Sequence, residues 1–171
     1  PDHPVQKAIC SLLQEYTGIE EIPMEVDGCS APTAFFTLET IARLYQTLSA
    51  GKYPELERAY NAMASYPYNV AGKGHFDTKF IEALGGKGVT KGGGESVRGI
   101  ALRERDGKNI GIALKVLDGN ARAMPIATLK LLEHLDLLTK KELSRLDEFR
   151  KRDRKNCRDK NIGHIEVFVE S

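Results

Sequence analysis

Apolar residues recur at three- and four-residue steps over positions 4–16, where Val5, Ala8, Ile9, Leu12, Leu13 and Tyr16 share one face, and this spacing predicts a helix. Pro4 suits its first turn and Gly18 its stop. Positions 22–26 alternate apolar and polar before Asp27-Gly28, which predicts a short strand delivering Asp27, Gly28 and Cys29 to a loop. Helical spacing returns over 38–48 and over 54–64, the second opened by Pro54-Glu55. Positions 66–74 read as loop, after which Asp77 is expected to cap a short helix carrying Phe80, Ile81 and Leu84.

The texture then changes, with six glycines in the ten positions 85–94. Two strand-like runs follow, 97–103 and 110–117, joined by Arg105-Asp106-Gly107-Lys108, and the Asp-Gly pair predicts a hairpin. Positions 89–91 are expected to form an adjoining strand. Helices are predicted over 123–138 and 139–152, with Thr139 and Glu142 forming a capping box, and a last strand over 162–169 with Ile165, Val167 and Val169 on one face. This order predicts an α+β fold, an antiparallel sheet flanked by helices, rather than repeating βαβ units.

Composition narrows the classes. The 171 residues are expected to form a single domain, 1–171, large enough to fold without disulfides or a structural metal. Lys and Arg number 25 against 24 Asp and Glu, which argues against recruitment of nucleic acid by bulk charge, and 41% hydrophobic content excludes wholesale disorder. The basic surplus over 139–160 reads as a solvated helix surface. Cys10, Cys29 and Cys157 form no C-x-x-C pair and are odd in number, so a reducing compartment, the cytoplasm, is expected. Neither a secretory leader nor a membrane span is visible in the pattern.

Candidate chemistry gathers at two places. A lysine on a strand edge followed by glycines lets a substrate backbone or carboxylate approach closely, so Lys91-Gly92-Gly93 is a candidate wall of a cleft; the plain alternative is a solvated lysine at a flexible hairpin entry. Neither G-x-x-x-x-G-K-[ST] nor G-x-G-x-x-G fits the glycine run, which weighs against a nucleotide site. Cys29, two residues after Asp27, reads as a metal ligand, a nucleophile or a small buried hydrophobe, while His3, His75, His134 and His164 are dispersed. No G-x-S-x-G occurs, and the Ser-x-x-Lys at Ser49 to Lys52 is broken by Gly51 at a helix end. Glu95, Arg98, Lys115, Asp118 and Arg122 read as surface ion-pairing residues.

Taken in order, His3-Pro4-Val5-Gln6, Asp27-Gly28-Cys29-Ser30-Ala31-Pro32, Gly72-Lys73-Gly74-His75-Phe76-Asp77-Thr78, Thr90-Lys91-Gly92-Gly93-Gly94-Glu95 and the stretch from Gly111 through Ala123 resemble the bacterial L-asparaginase II family. This is the thermolabile or rhizobial type, related to serine β-lactamases and glutaminases. The resemblance implies a β-lactamase/glutaminase-like fold and an amidohydrolase that converts L-asparagine to L-aspartate and ammonia through a serine activated by lysine. It implies a catalytic role for Lys91, substrate contacts at Gly92, Gly93 and Glu95, and zinc held by Cys29 with Asp27 acting through a bound water. It also implies a homodimer in the full-length protein.

Gly94 and Ser96 depart from the family's usual Lys-Gly-Gly-Ala-Glu-Gly. The family's Ser-x-x-Lys nucleophile and its Cys-Ser-Gly-Lys-His segment fall before His3, so the resemblance implies that these residues correspond to a C-terminal half, inactive alone and holding zinc weakly. The rival reading is a non-catalytic amino-acid-binding or interaction module that keeps the cleft without the chemistry. Preference for asparagine over glutamine is left open.

Overall fold

A computed structural model describes residues 2–170. Its centre is an antiparallel sheet in the order β3 (Gly88–Gly93), β4 (Val97–Arg105) and β5 (Lys108–Lys115). Asp106 at φ 51° and Gly107 at φ 71° close the β4–β5 hairpin, both central residues taking the positive φ that a two-residue loop with the strands' own twist requires. The register pairs Gly88 with Leu102, Thr90 with Ile100 and Gly92 with Arg98. Opposite residues of an antiparallel ladder share a face, so Thr90, Arg98, Ile100 and Leu102 point one way while Val89, Lys91, Gly99 and Ala101 point the other.

The first face is covered by α5 (Phe76–Leu84), α6 (Met124–His134) and α7 (Lys140–Arg145). Phe76, Phe80, Leu84, Leu129, Leu132, Leu143 and Leu146 close with Ile100 and Leu102 into the main core. Against the second face lie α2 (Leu38–Ala50) and α3 (Pro54–Ser65), where Tyr60 and Ile81 pack on Val89 and Ala101 beside Tyr45, Leu48 and Met63. Two glycines let α2 approach: a Cβ on Gly99 would lie 1.9 Å from the Tyr45 ring, and one on Gly111 would lie 2.0 Å from the Ala42 carbonyl oxygen.

Outside this α+β centre stand α1 (Pro4–Thr17), the hairpin of β1 (Met24–Val26) and β2 (Pro32–Ala34), and the hairpin of β6 (Arg152–Lys155) and β7 (Asn161–Ile165). Helix α1 begins at Pro4 behind a His3 cap and stops at Gly18 in the left-handed region at φ 69°, as its spacing predicts. Among the described residues no helix is long and apolar enough to cross a membrane.

Several expected boundaries move. The 66–74 loop contains a short helix, α4 (Pro67–Ala71), because Pro67 at its first turn is pre-set for helical φ and Gly72, at φ 89°, ends it. The helix predicted over 123–138 ends at His134. Asp136 there adopts φ 54°, its N–H bonding Glu133 O at 3.1 Å and that of Leu137 bonding Leu132 O at 2.9 Å, a Schellman stop built on aspartate rather than glycine.

The 139–152 helix is also shorter than expected. Its capping box forms, with Thr139 Oγ1 accepting from Glu142 N at 3.2 Å, yet regular helix ends at Arg145 and a 3₁₀ turn, Asp147–Phe149, follows. That turn lets Leu146 bury completely and sets Phe149 edge-on against Phe76 at 5.2 Å. The chain then enters β6, whose first residue, Arg152, is the last of the helix expected over 139–152, and β7 is shorter than the predicted 162–169 strand.

Candidate functional site

The glycine-rich edge strand β3 has a different surrounding on each face. Lys91 is exposed, and its Nζ donates to the Gly92 carbonyl oxygen at 2.6 Å. Beside it, on the α2–α3 side, Tyr45, Leu48, Met63, Tyr66 and Asn69 enclose a hollow of about 460 Å³. Its walls are mainly apolar, so the ammonium stands at the rim of a hydrophobic depression. Burial raises the Tyr45 hydroxyl above its ordinary pKa, the negative charge of Asp77 reinforces that rise and Arg98 opposes it, so the phenol stays a neutral donor.

On the other face Gly92 and Gly93 border a cleft of about 490 Å³ with Asp77, Ser96, Arg98 and Arg122. Its foundation is a buried ion pair between Arg98 and Asp77, whose side chains are each 7% exposed. Asp77 sits in the first turn of α5, where the helix N-terminus favours a carboxylate, and Oδ2 accepts the outward N–H of Gly92 at 2.8 Å. Arg98 Nη1 also donates to Thr90 Oγ1 at 3.0 Å, and the guanidinium lies 4.6 Å above the Phe76 ring. A charge taken out of water needs this degree of pairing to persist.

This pair corrects two expectations. Asp77 does not cap α5, since His75 occupies that position, and Arg98 is no surface residue. Alternation was the available signal: Arg98 falls in step with Ile100 and Leu102 on the inward face of β4, and a cation there needs a buried anion.

Glu95 is exposed on the 3₁₀ turn Gly94–Ser96 at φ 52°. Lys115 Nζ donates to its carbonyl oxygen and to that of Val116, while Gly119 packs so closely that a Cβ there would lie 2.5 Å from Glu95 Oε2. Asp118 and Arg122 pair at 2.6 Å, partly exposed, in accord with the surface reading.

Asp27 and Cys29 come together at the tip of the β1–β2 hairpin, both exposed. The Cys29 N–H donates to Asp27 Oδ1 at 2.6 Å. Hydrogen bonds from the Cys29 side chain and backbone, joined by Thr33, hold the Asp27 carboxyl below the usual range. Neither residue borders the Lys91 hollow or the cleft beneath Gly92. Among the described residues no group of three or more His, Cys, Asp or Glu side chains is arranged to hold a metal ion. Zinc needs at least three protein donors, so these residues do not by themselves complete a zinc site.

The lysine-glycine-glycine edge strand of this α+β chain thus lies between two hollows, one on each face. The L-asparaginase II family model matches residues 1–167, and the chain belongs to that family. Among curated proteins none matches it.

Proposed function

We propose that this chain contributes to an asparaginase-type site that hydrolyses L-asparagine to L-aspartate and ammonia. The observation that carries the reading is the family match across residues 1–167, which includes the Lys91-Gly92-Gly93 strand. In the reaction a serine oxygen attacks the side-chain amide carbon, ammonia leaves, and water then releases L-aspartate from the acyl-enzyme. Lys91 is the lysine that polarises the nucleophile: an ammonium beside a hydroxyl lowers the cost of the alkoxide, and fixed donors stabilise the tetrahedral oxyanion. Gly92 and Gly93 leave the backbone open to substrate, and the exposed Glu95 carboxylate suits the α-ammonium group.

Among the described residues no serine borders the Lys91 hollow, and the reading takes the nucleophile from the family's Ser-x-x-Lys motif. The same holds for the remaining zinc donors. Cys29 and Asp27 offer two, too few for a step to be routed through the metal here.

The test is ammonia release from L-asparagine. The 171-residue chain alone is expected to give negligible turnover, and joining it with a family segment bearing Ser-x-x-Lys is expected to restore it. Lys91→Ala should then lower the restored rate roughly 10²-fold or more. A well-folded complex without activity, or one indifferent to Lys91→Ala, overturns the assignment.

A further inference from the structure

Positive charge is not spread evenly over the surface. Residues 150–160 carry seven Lys and Arg against two Asp, which leaves eighteen Lys and Arg against twenty-two Asp and Glu on the rest of the chain. The sequence reading places this surplus on a solvated helix, yet α7 ends at Arg145, and from Arg152 the charges run along β6 and the turn that leads into β7. No residue of either strand belongs to either apolar core, and every residue from Arg150 to His164 is exposed.

Three cations of this segment are answered, Arg150 by Glu133 at 2.8 Å, Lys151 by Asp153 at 3.7 Å and Lys155 by Asp159 at 3.1 Å. Among the described residues Arg152, Arg154, Arg158 and Lys160 have neither an ion pair nor a side-chain hydrogen bond. The ladder pairs Arg152 with Ile165 and Arg154 with Gly163, so both arginines rise from one face of the ribbon. They stand about 7 Å apart along the strand. The turn beyond them is ordered: Asn156 Oδ1 accepts the N–H groups of Arg158 at 2.9 Å and Lys160 at 3.1 Å, and Asn156 N donates to the Lys160 carbonyl oxygen at 3.0 Å. Four uncompensated cations therefore sit on a backbone that is already fixed, so little backbone ordering is lost when they meet an anion.

Three features select the kind of polyanion. Three of the four cations are arginines, whose planar guanidinium meets phosphate oxygens two at a time. Ile162 is the only large apolar side chain over 150–164, which holds no Phe, Tyr or Trp, so the ribbon has neither a face to sink into a bilayer nor a platform for stacking unpaired bases. A two-stranded ribbon fits the major groove of B-form DNA, about 12 Å wide, whereas the major groove of an A-form RNA duplex is too narrow.

We propose that the β6–β7 ribbon docks on double-stranded DNA, with Arg152, Arg154, Arg158 and Lys160 on its phosphates and no base sequence required. The near-neutral total charge argues only against recruitment by the molecule as a whole; screening over about 8 Å keeps the acidic remainder from cancelling the field of the ribbon. Arg152 also borders the cleft beneath Gly92, while Arg154, Arg158 and Lys160 border neither that cleft nor the Lys91 hollow. Substitutions confined to those three leave the asparaginase reading untouched.

Fluorescence anisotropy of a labelled DNA duplex of roughly 20 base pairs, about two helical turns, tests the proposal on titration with the 171-residue chain. Saturable binding is expected at low salt, and a rise from about 50 to about 150 mM should weaken it roughly 50-fold, the fall produced when four cations displace condensed counterions. Arg154→Gln combined with Arg158→Gln should halve that salt slope and weaken binding about tenfold or more. Tm should stay unchanged, because both side chains are exposed and unpaired. Lys7→Gln combined with Lys73→Gln removes the same charge from exposed positions elsewhere and should change binding little. Binding that does not saturate, that ignores salt, or that responds alike to both double variants would overturn the proposal. So would tighter binding of an RNA duplex of the same length, or of phosphatidylserine vesicles, than of the DNA.

Discussion

At the scale of single residues, the buried charges are held in pairs that link separate elements. Asp77 ties α5 to the edge of β3 through Gly92 and to β4 through Arg98, so one carboxylate fixes the strand that carries Lys91. Glu142 plays a comparable part for α7, accepting from Arg105 at 2.7 and 3.1 Å and from the Thr139 N–H at 2.7 Å. Burial pushes its carboxyl upward, yet the hydrogen bonds from Arg105 and Thr139 outweigh that and leave it below its ordinary 4.5. A carboxyl depressed in the folded state stabilises fully above the unfolded value and loses that contribution as pH falls through the folded one. Thermal stability is therefore expected to drop below pH 4.5, and Glu142→Gln should flatten that acid limb in melts recorded across pH. Glu142→Ala at neutral pH should cost about 3–5 kcal/mol, since it strands the Arg105 guanidinium. An unchanged acid limb in the Gln variant would show that other carboxylates govern it.

At the scale of elements, the packing of α2 on the sheet depends on two absent side chains. Gly111 faces helix backbone, with the Ala42 carbonyl oxygen 2.0 Å and the Gln46 nitrogen 2.2 Å from where a Cβ would stand. Backbone cannot rotate aside as a side chain can, so Gly111→Ala must lift α2 from β5. It is expected to lower stability by about 3 kcal/mol or more by denaturant unfolding. Gly94→Ala, where nothing lies within 4 Å, serves as the contrast and should shift the midpoint little. If both variants behaved alike, α2 would not be seated as described. The pattern of apolar positions foretold α1, α2, α3 and the β4–β5 hairpin because each carries a local period and a local stop. It overran α6 and α7, whose ends are set by Asp136 in a left-handed turn and by the burial of Leu146 and Phe149 against other elements.

At the scale of the whole molecule, the candidate residues sort into separate surroundings: Lys91 on one face of the sheet, Gly92 and Gly93 along its edge, and Asp27 with Cys29 at a remote hairpin tip. Two donors do not make a tight zinc site, so the purified chain is expected to give up zinc on dialysis against a mild chelator, followed by metal analysis. Stoichiometric zinc surviving that treatment would mean that further donors converge on Cys29. By itself the sequence determined the α+β order, the hairpin turn, the Thr139–Glu142 capping box and the ordered motifs of the family, since each rests on residues near one another along the chain. The three-dimensional fold decided that Asp77 and Arg98 form a buried pair and that Lys91 turns to the opposite side of the sheet. Those facts depend on strand register and on which faces the helices cover, and both are set by packing between segments far apart in the chain.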